Sequence, residues 1–192
     1  MSNDNDHSSD FNSILGEISK AQDNNKLPPV DKWDPDFCGD MALVIKRDGT
    51  WHYENSPIGR QRLVKLFSTV LKKEDDDYFL VTPVEKLGIK VEDAPFLVIK
   101  MELKDTDKGP VIVFTDNCDN TILLTDDNPL WVEQDPKTGE PSPYVVVRKN
   151  LHALIHRNVF YQLVELAEER LIDDQKHLGV VSAGQFYSLG TI

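Results

Sequence analysis

The sequence predicts an α+β fold made of two related β-hairpin, helix and strand units, with mostly antiparallel sheets. Three observations predict it. Met41 to Lys46 and Thr50 to Glu54 are strand-like runs flanking Arg47-Asp48-Gly49, and an Asp-Gly pair tolerates the positive φ that a tight hairpin needs. Leu63, Leu66, Phe67, Val70 and Leu71 follow at helical spacing. The same order then returns: Val145-Val146-Val147 leads into Val159-Phe160-Tyr161-Gln162-Leu163 much as Trp51-His52-Tyr53 leads into Leu63-Val64-Lys65-Leu66-Phe67. Identity between the two is weak, so a duplicated unit and two unrelated amphipathic helices both fit.

Residues 1–30 read as a lead-in. Met1 to Ser9 is rich in Asn, Asp and Ser and is expected to be disordered. Asp10 can cap a short helix with Phe11, Ile14, Leu15 and Ile18 on one face, to be buried on its own chain or on a partner. Gln22 to Asp31 is a polar linker containing Pro28 and Pro29. The first folded unit spans 31–91. Trp51 and Tyr53 share one strand face, Ser56 suits an N-cap and Pro57 suits the first helical position. Lys72 to Asp77 reads as a charged turn, Tyr78 to Thr82 as a strand and Val84 to Val91 as a short extended segment.

The second unit spans 92–192. Phe96 to Leu103 is a strand that turns around Lys108-Gly109-Pro110. Val111 to Thr115 and Thr121 to Thr125 are strands joined at Asp116 to Asn120, and Leu130 to Glu133 pairs with Tyr144 to Arg148 across a long polar hairpin. Leu151 to His156 reads as a helical turn, and Asn158 as the cap of a second amphipathic helix bearing Phe160, Leu163, Val164 and Ala167. Val180, Val181, Phe186 and Leu189 belong to closing strands, and the unit is expected to curl into a partly open barrel capped by its helix.

Composition narrows the function. The 192 residues carry 33 acidic and 21 basic side chains, a net charge of −12. Such a field repels nucleic-acid phosphates and anionic membranes, so no nucleic-acid polymer is expected as a partner. No apolar run is long enough for membrane insertion, no secretory signal core is present, and a cytoplasmic location is expected. Cys38 and Cys118 are the only cysteines and are read as free, buried structural thiols, since Asp36, Asp40, Asp116 and Asp119 surround them with negative charge. Asp116 to Asn120 departs from a calcium loop at its third, sixth and twelfth positions (Cys118, Thr121, Asp127) and reads as a turn. His152 and His156 lack the Glu of a zinc-protease helix. No catalytic residue, metal ligand or cofactor is assigned.

One cluster stands against the acidic background. Arg60, Arg62 and Lys65 fall in the opening turns of the first long helix, where a cation opposes the helix dipole. A bound phosphate or carboxylate would compensate, held by the Ser56 hydroxyl, backbone N–H groups and the Arg60 fork. An ion pair of Arg60 with Glu85 or Asp40 is the alternative.

The chain also resembles a known family. Trp33-Asp34-Pro35-x-Phe37-Cys38-Gly39-Asp40, Asp48-Gly49-Thr50-Trp51, Ser56-Pro57-Ile58-Gly59-Arg60, Thr82-Pro83-Val84-Glu85-Lys86 and Asp93-Ala94-Pro95-Phe96 look like the bacterial family of domain of unknown function 1285, over nearly everything from Trp33 onward. The resemblance implies a duplicated α+β architecture, a pleckstrin-homology-like C-terminal half, a site for a nucleotide-like ligand between the halves and a role in signalling. It brings no catalytic residue. The expected site therefore uses Ser56 and Arg60 for an anion and Trp33, Trp51 or Tyr53 for a flat surface. Glu85, Asp93 and Asn117 complete its polar wall, resting on the resemblance and on their loop or strand-end positions. A sensor or adaptor binding a small anionic ligand is the first reading, a protein-interaction module the second, a hydrolase of a phosphorylated metabolite the third.

Overall fold

The computed structural model describes residues 6–21 and 26–192, which divide into two compact units, 1–93 and 94–192. Most of each unit is sheet. The expected disordered start and the polar linker fall in part, at residues 1–5 and 22–25, outside the described residues.

Unit 1 begins with α1 (Asp6–Ala21), so the helix starts before the expected cap at Asp10 and includes residues 6–9 of the stretch read as disordered. Six strands and a second helix follow: β1 (Phe37–Ile45), β2 (Trp51–Tyr53), β3 (Ser56–Pro57), α2 (Gln61–Thr69), β4 (Leu71–Glu74), β5 (Asp77–Val81) and β6 (Lys86–Val91). They form one sheet in the order β3-β2-β1-β6-β5-β4. Every pairing is antiparallel except the central one, where β1 and β6 run parallel. Alternation sets the inner face: Met41, Leu43 and Ile45 are buried while Asp40 and Ala42 face out. Against that face pack Val64 and Phe67 of α2 and Ile14 and Ile18 of α1, all buried. Phe11 extends the α1 seam, its ring 4.7 Å from Tyr53 and 5.2 Å from Phe67. The apolar face of the arm is thus buried on its own unit. The charged stretch after α2 is a hairpin, not a bare turn: Leu71 pairs with Leu80 and Glu74 with Asp77.

Unit 2 contains β7 (Phe96–Thr106), β8 (Gly109–Asp116), β9 (Thr121–Leu123), β10 (Leu130–Gln134), β11 (Pro141–Arg148), β12 (Leu151–Ile155), α3 (Arg157–Glu165), β13 (Glu168–Ile172), β14 (Gln175–Ser182) and β15 (Gln185–Thr191). The first six strands make a curled sheet in the order β10-β11-β12-β7-β8-β9, and the last three a separate sheet. Here too the centre is parallel, with Ala153 opposite Phe96. Leu151 to Ile155 is therefore a strand and not the expected helical turn. Its Leu151, Ala153 and Ile155 are buried in strict alternation, and the parallel partner that decides the matter lies far away in sequence. Asn158 is not the cap of α3 either; His156 takes that place, its Nδ1 accepting the Asn158 N–H at 3.2 Å. Ser182, fully buried, joins the two sheets: its hydroxyl accepts the Ile112 N–H at 2.9 Å and donates to the Leu124 carbonyl at 2.7 Å.

Candidate functional site

The start of α2 gathers cations with no acid in its first turn. Pairing of Tyr53 with Ser56 and His52 with Pro57 holds Ser56 and Pro57 extended, and the Ile58 N–H donates to the Trp51 carbonyl at 2.8 Å. The helix cannot begin until that ladder ends, so Ser56 is an exposed strand residue and not the expected N-cap. Arg60 occupies the cap position with an extended backbone (φ −91°, ψ 99°), and its carbonyl accepts the Leu63 N–H at 2.9 Å. No side chain caps this end and the first turn carries no acid. The positive end of the helix dipole thus meets Arg60 and Arg62, each unfavourable there by ~0.3–1 kcal/mol in the absence of an anion.

These side chains open onto a shallow groove of about 810 Å³ along α2. Arg60 at the cap and Arg62, Lys65 and Thr69 of α2 line it, with Ser19 added by α1. No carboxylate is in the lining, although the chain has 33 of them. Among the described residues neither Arg60 nor Arg62 makes an ion pair. Neither acid offered as an alternative partner for Arg60 pairs with it. Glu85 accepts the Ser13 hydroxyl at 3.0 Å, and the Asp40 carboxylate lies across Gly88.

Of the eight residues expected to form the site, the groove takes only Arg60. Trp51 is 2 % exposed and stacks on Phe67, ring centroids 6.5 Å apart, so its face belongs to the core. Its Nε1 has no hydrogen-bond partner among the described residues. Tyr53 is half-buried beneath Phe11, and Trp33 is half-buried after a turn of 3₁₀ helix at Val30–Lys32. The second carboxylate oxygen of Glu85 is buried and likewise without a partner among the described residues. Asp93 holds the Arg47 guanidinium at 2.6 Å. Asn117, in unit 2, accepts the Leu97 N–H at 3.0 Å on its Oδ1. Sequence reasoning marked Arg62 and Lys65 as helix-start cations. It passed over Ser19 and Thr69, which become neighbours only when the apolar face of α1 docks.

The other motifs settle into structural roles. Asp116 is fully buried and accepts the N–H groups of Cys118 at 2.8 Å and Asn120 at 2.9 Å, with the Asn120 amide at 2.8 Å, a turn of the Asx type. Burial pushes its carboxyl above the usual range, and the hydrogen bonds from Asn120 draw it back. Both cysteines are free thiols; Cys118 is buried, but Cys38, expected to be buried, is exposed on β1. Among the described residues no group of three or more His, Cys, Asp and Glu could hold a metal ion, and no helix is long and apolar enough to cross a membrane.

Two family models match the chain: the N-terminal domain of the domain of unknown function DUF1285 over residues 28–94, and the C-terminal domain of the DUF1285 protein of unknown function over residues 95–189. A crystal structure of a DUF1285 family protein from Silicibacter pomeroyi DSS-3 is similar with a TM-score of 0.82 and 43 % identity, covering 93 % of this chain and 95 % of that one. A second, from Shewanella baltica OS155, has a TM-score of 0.52 and 25 % identity, covering 65 % of this chain and 91 % of that one. No curated protein matches.

Proposed function

The chain belongs to the DUF1285 family, and from that premise we propose that it is a non-enzymatic sensor or adaptor whose unit 1 binds a small anionic, nucleotide-like ligand in the α2 groove. One observation carries this reading: in a chain of net charge −12, an open groove of about 810 Å³ is lined by Arg60, Arg62 and Lys65 and by no carboxylate. Arg60 supplies a planar fork for phosphate or carboxylate oxygens, and the α2 dipole adds to its pull. Ser19 and Thr69 offer hydroxyl groups for the uncharged part of the ligand. Binding relieves the repulsion between the arginines and the helix end, which gives the anion a direct energetic lever on the docking of α1 and α2. In this scheme the protein acts in the cytoplasm as a signalling component, and the curled sheet of unit 2 serves as a pleckstrin-homology-like module.

The test is a thermal-shift panel of nucleotides, cyclic dinucleotides, inorganic phosphate and carboxylates on the wild type and Arg60→Ala. A ligand present at about 100 times its dissociation constant adds ~2.7 kcal/mol of stability, a clear rise in the melting midpoint. A rise that Arg60→Ala removes supports the proposal. No rise with any member of the panel overturns it.

A protein-interaction module is the second reading. It is favoured by exposed apolar side chains on unit 2, among them Tyr161, Leu166 and Leu171.

A further inference from the structure

A second cavity, of about 330 Å³, opens on unit 1 and has the opposite electrostatic character. Its walls come from β1, β5 and β6, whose registers set Phe37 beside Lys86, Asp40 beside Gly88 and Phe79 beside Gly88. Gly88 makes the space. A Cβ on it would lie 2.1 Å from the Asp40 Oδ1, so only glycine lets the Asp40 carboxylate lie down into the cavity. Phe37 is 57 % exposed, an unusual placement for so large an apolar group, and meets Phe79 edge to face with ring centroids 6.2 Å apart.

The charges in this cavity do not balance. Lys86 is its one cation, and its Nζ is already committed: it sits 4.5 Å above the Phe79 ring and pairs with Glu74, which also takes Lys72 at 3.0 Å. The carboxylates of Asp40 and Asp77 make no ion pair among the described residues. An anionic guest would meet these two carboxylates; a cationic one would neutralise them. The aromatic pair points the same way, because the negative face of a ring attracts a cation within about 6 Å, and Lys86 shows the Phe79 ring already used so. The cavity volume suits a small molecule or one side chain, and a chain of net charge −12 draws cations toward it at long range.

We propose that this cavity binds a small organic ammonium group, with the Asp40 carboxylate as its counter-ion and the Phe37 ring as its cation–π partner. The group can be a free ammonium metabolite or a lysine side chain carried on a polypeptide. Calorimetric titration of the full chain with choline chloride, and separately with a short peptide bearing one lysine, tests it and tells the two sources apart. Saturable binding of either is expected, weakened about tenfold or more by Asp40→Asn and by Phe37→Leu, which keeps the apolar bulk and removes the ring. Gly88→Ala is expected to give a similar loss with the Asp40 carboxylate retained, because the new Cβ displaces it. Both Asp40 and Phe37 are exposed, and circular dichroism checks that each variant is folded. Absence of binding by both probes, or binding that survives Asp40→Asn and Phe37→Leu, overturns the proposal. So does tighter binding of acetate than of choline.

Discussion

Two segments of the chain begin alike and end differently. In each, a helix of nine residues, α2 or α3, is followed by three antiparallel strands. The first tight turn is aspartate-rich in both, with positive φ at Asp75 in one and at Asp173 and Asp174 in the other. In unit 1 the third strand, β6, enters the main sheet beside β1. In unit 2 the three strands stand as their own sheet. The cause is in the side chains. β6 has Leu87, Gly88 and Ile89 buried in succession, whereas its counterpart β15 alternates, with Tyr187 and Leu189 as its buried residues. The helix starts differ as well. The α3 N-terminus is closed by His156, and the α2 N-terminus is left open beneath Arg60. A repeated local plan thus gives a closed helix end in one place and an electropositive one in the other.

The helix anchors should show the largest effects. Phe67 and Leu163 are each fully buried beneath their helix. Phe67→Ala is expected to cost ~3–5 kcal/mol and Leu163→Ala ~2–5 kcal/mol in denaturant unfolding. Equal destabilisation would mean that the Trp51 and Phe11 contacts of Phe67 contribute little. Next comes the joint between the sheets of unit 2. Ser182→Ala strands the Ile112 N–H and is expected to cost ~1–3 kcal/mol; no change on chemical denaturation would show that backbone pairing alone holds β14 in place. The two helix ends should then respond with opposite signs. His156→Ala removes a cap and is expected to cost ~1 kcal/mol. Arg60→Asp supplies one along with the favoured charge, and is expected to raise stability by ~0.5–1 kcal/mol while abolishing any response to anions. A loss of stability in Arg60→Asp would show that Arg60 is a structural partner.

The smallest expected effect is a pH dependence confined to the separate sheet. Burial, with Asp126 near its hydroxyl at 3.3 Å, pushes the Tyr187 phenol up to about 12. Because the folded value lies above the unfolded one, the stabilisation is fully present below pH ~10 and is lost as the pH rises toward about 12. Ultraviolet titration should show delayed phenolate formation that Tyr187→Phe reduces, leaving the delay of Tyr78, whose phenol burial also pushes up.

Where structure follows from neighbours in sequence, the residues announced it. The Asp48-Gly49 hairpin and the Leu130 to Arg148 hairpin are local, and so were legible; the existence of α2 was too, but its buried face is Val64 and Phe67, and Leu71 of the expected stripe already belongs to β4. Ser56 was misread because its capping chemistry is real but loses to a ladder with Tyr53. Leu151 to Ile155 was misread because five residues with three buried positions fit a helical turn or a strand equally well, and a partner 57 residues earlier (153 − 96) decides. In the candidate site Arg60 was visible as a cation in the wrong half of a helix. Ser19 was not, because nothing near it in sequence says that α1 lies beside α2.

The parallel pair at the middle of each main sheet also dictates an order of events. Asp40 meets Gly88, 48 positions later (88 − 40), and Phe96 waits still longer, 57 positions, for Ala153 (153 − 96). The hairpins β1–β2, β4–β5, β7–β8 and β10–β11 close over short loops and can form within microseconds, while each central ladder must first overcome the entropy of a loop of some fifty residues. Both units are therefore expected to assemble from the rim inward, with the central parallel seam made last. During synthesis the β1–β6 seam cannot close in full until Val91 has left the ribosome.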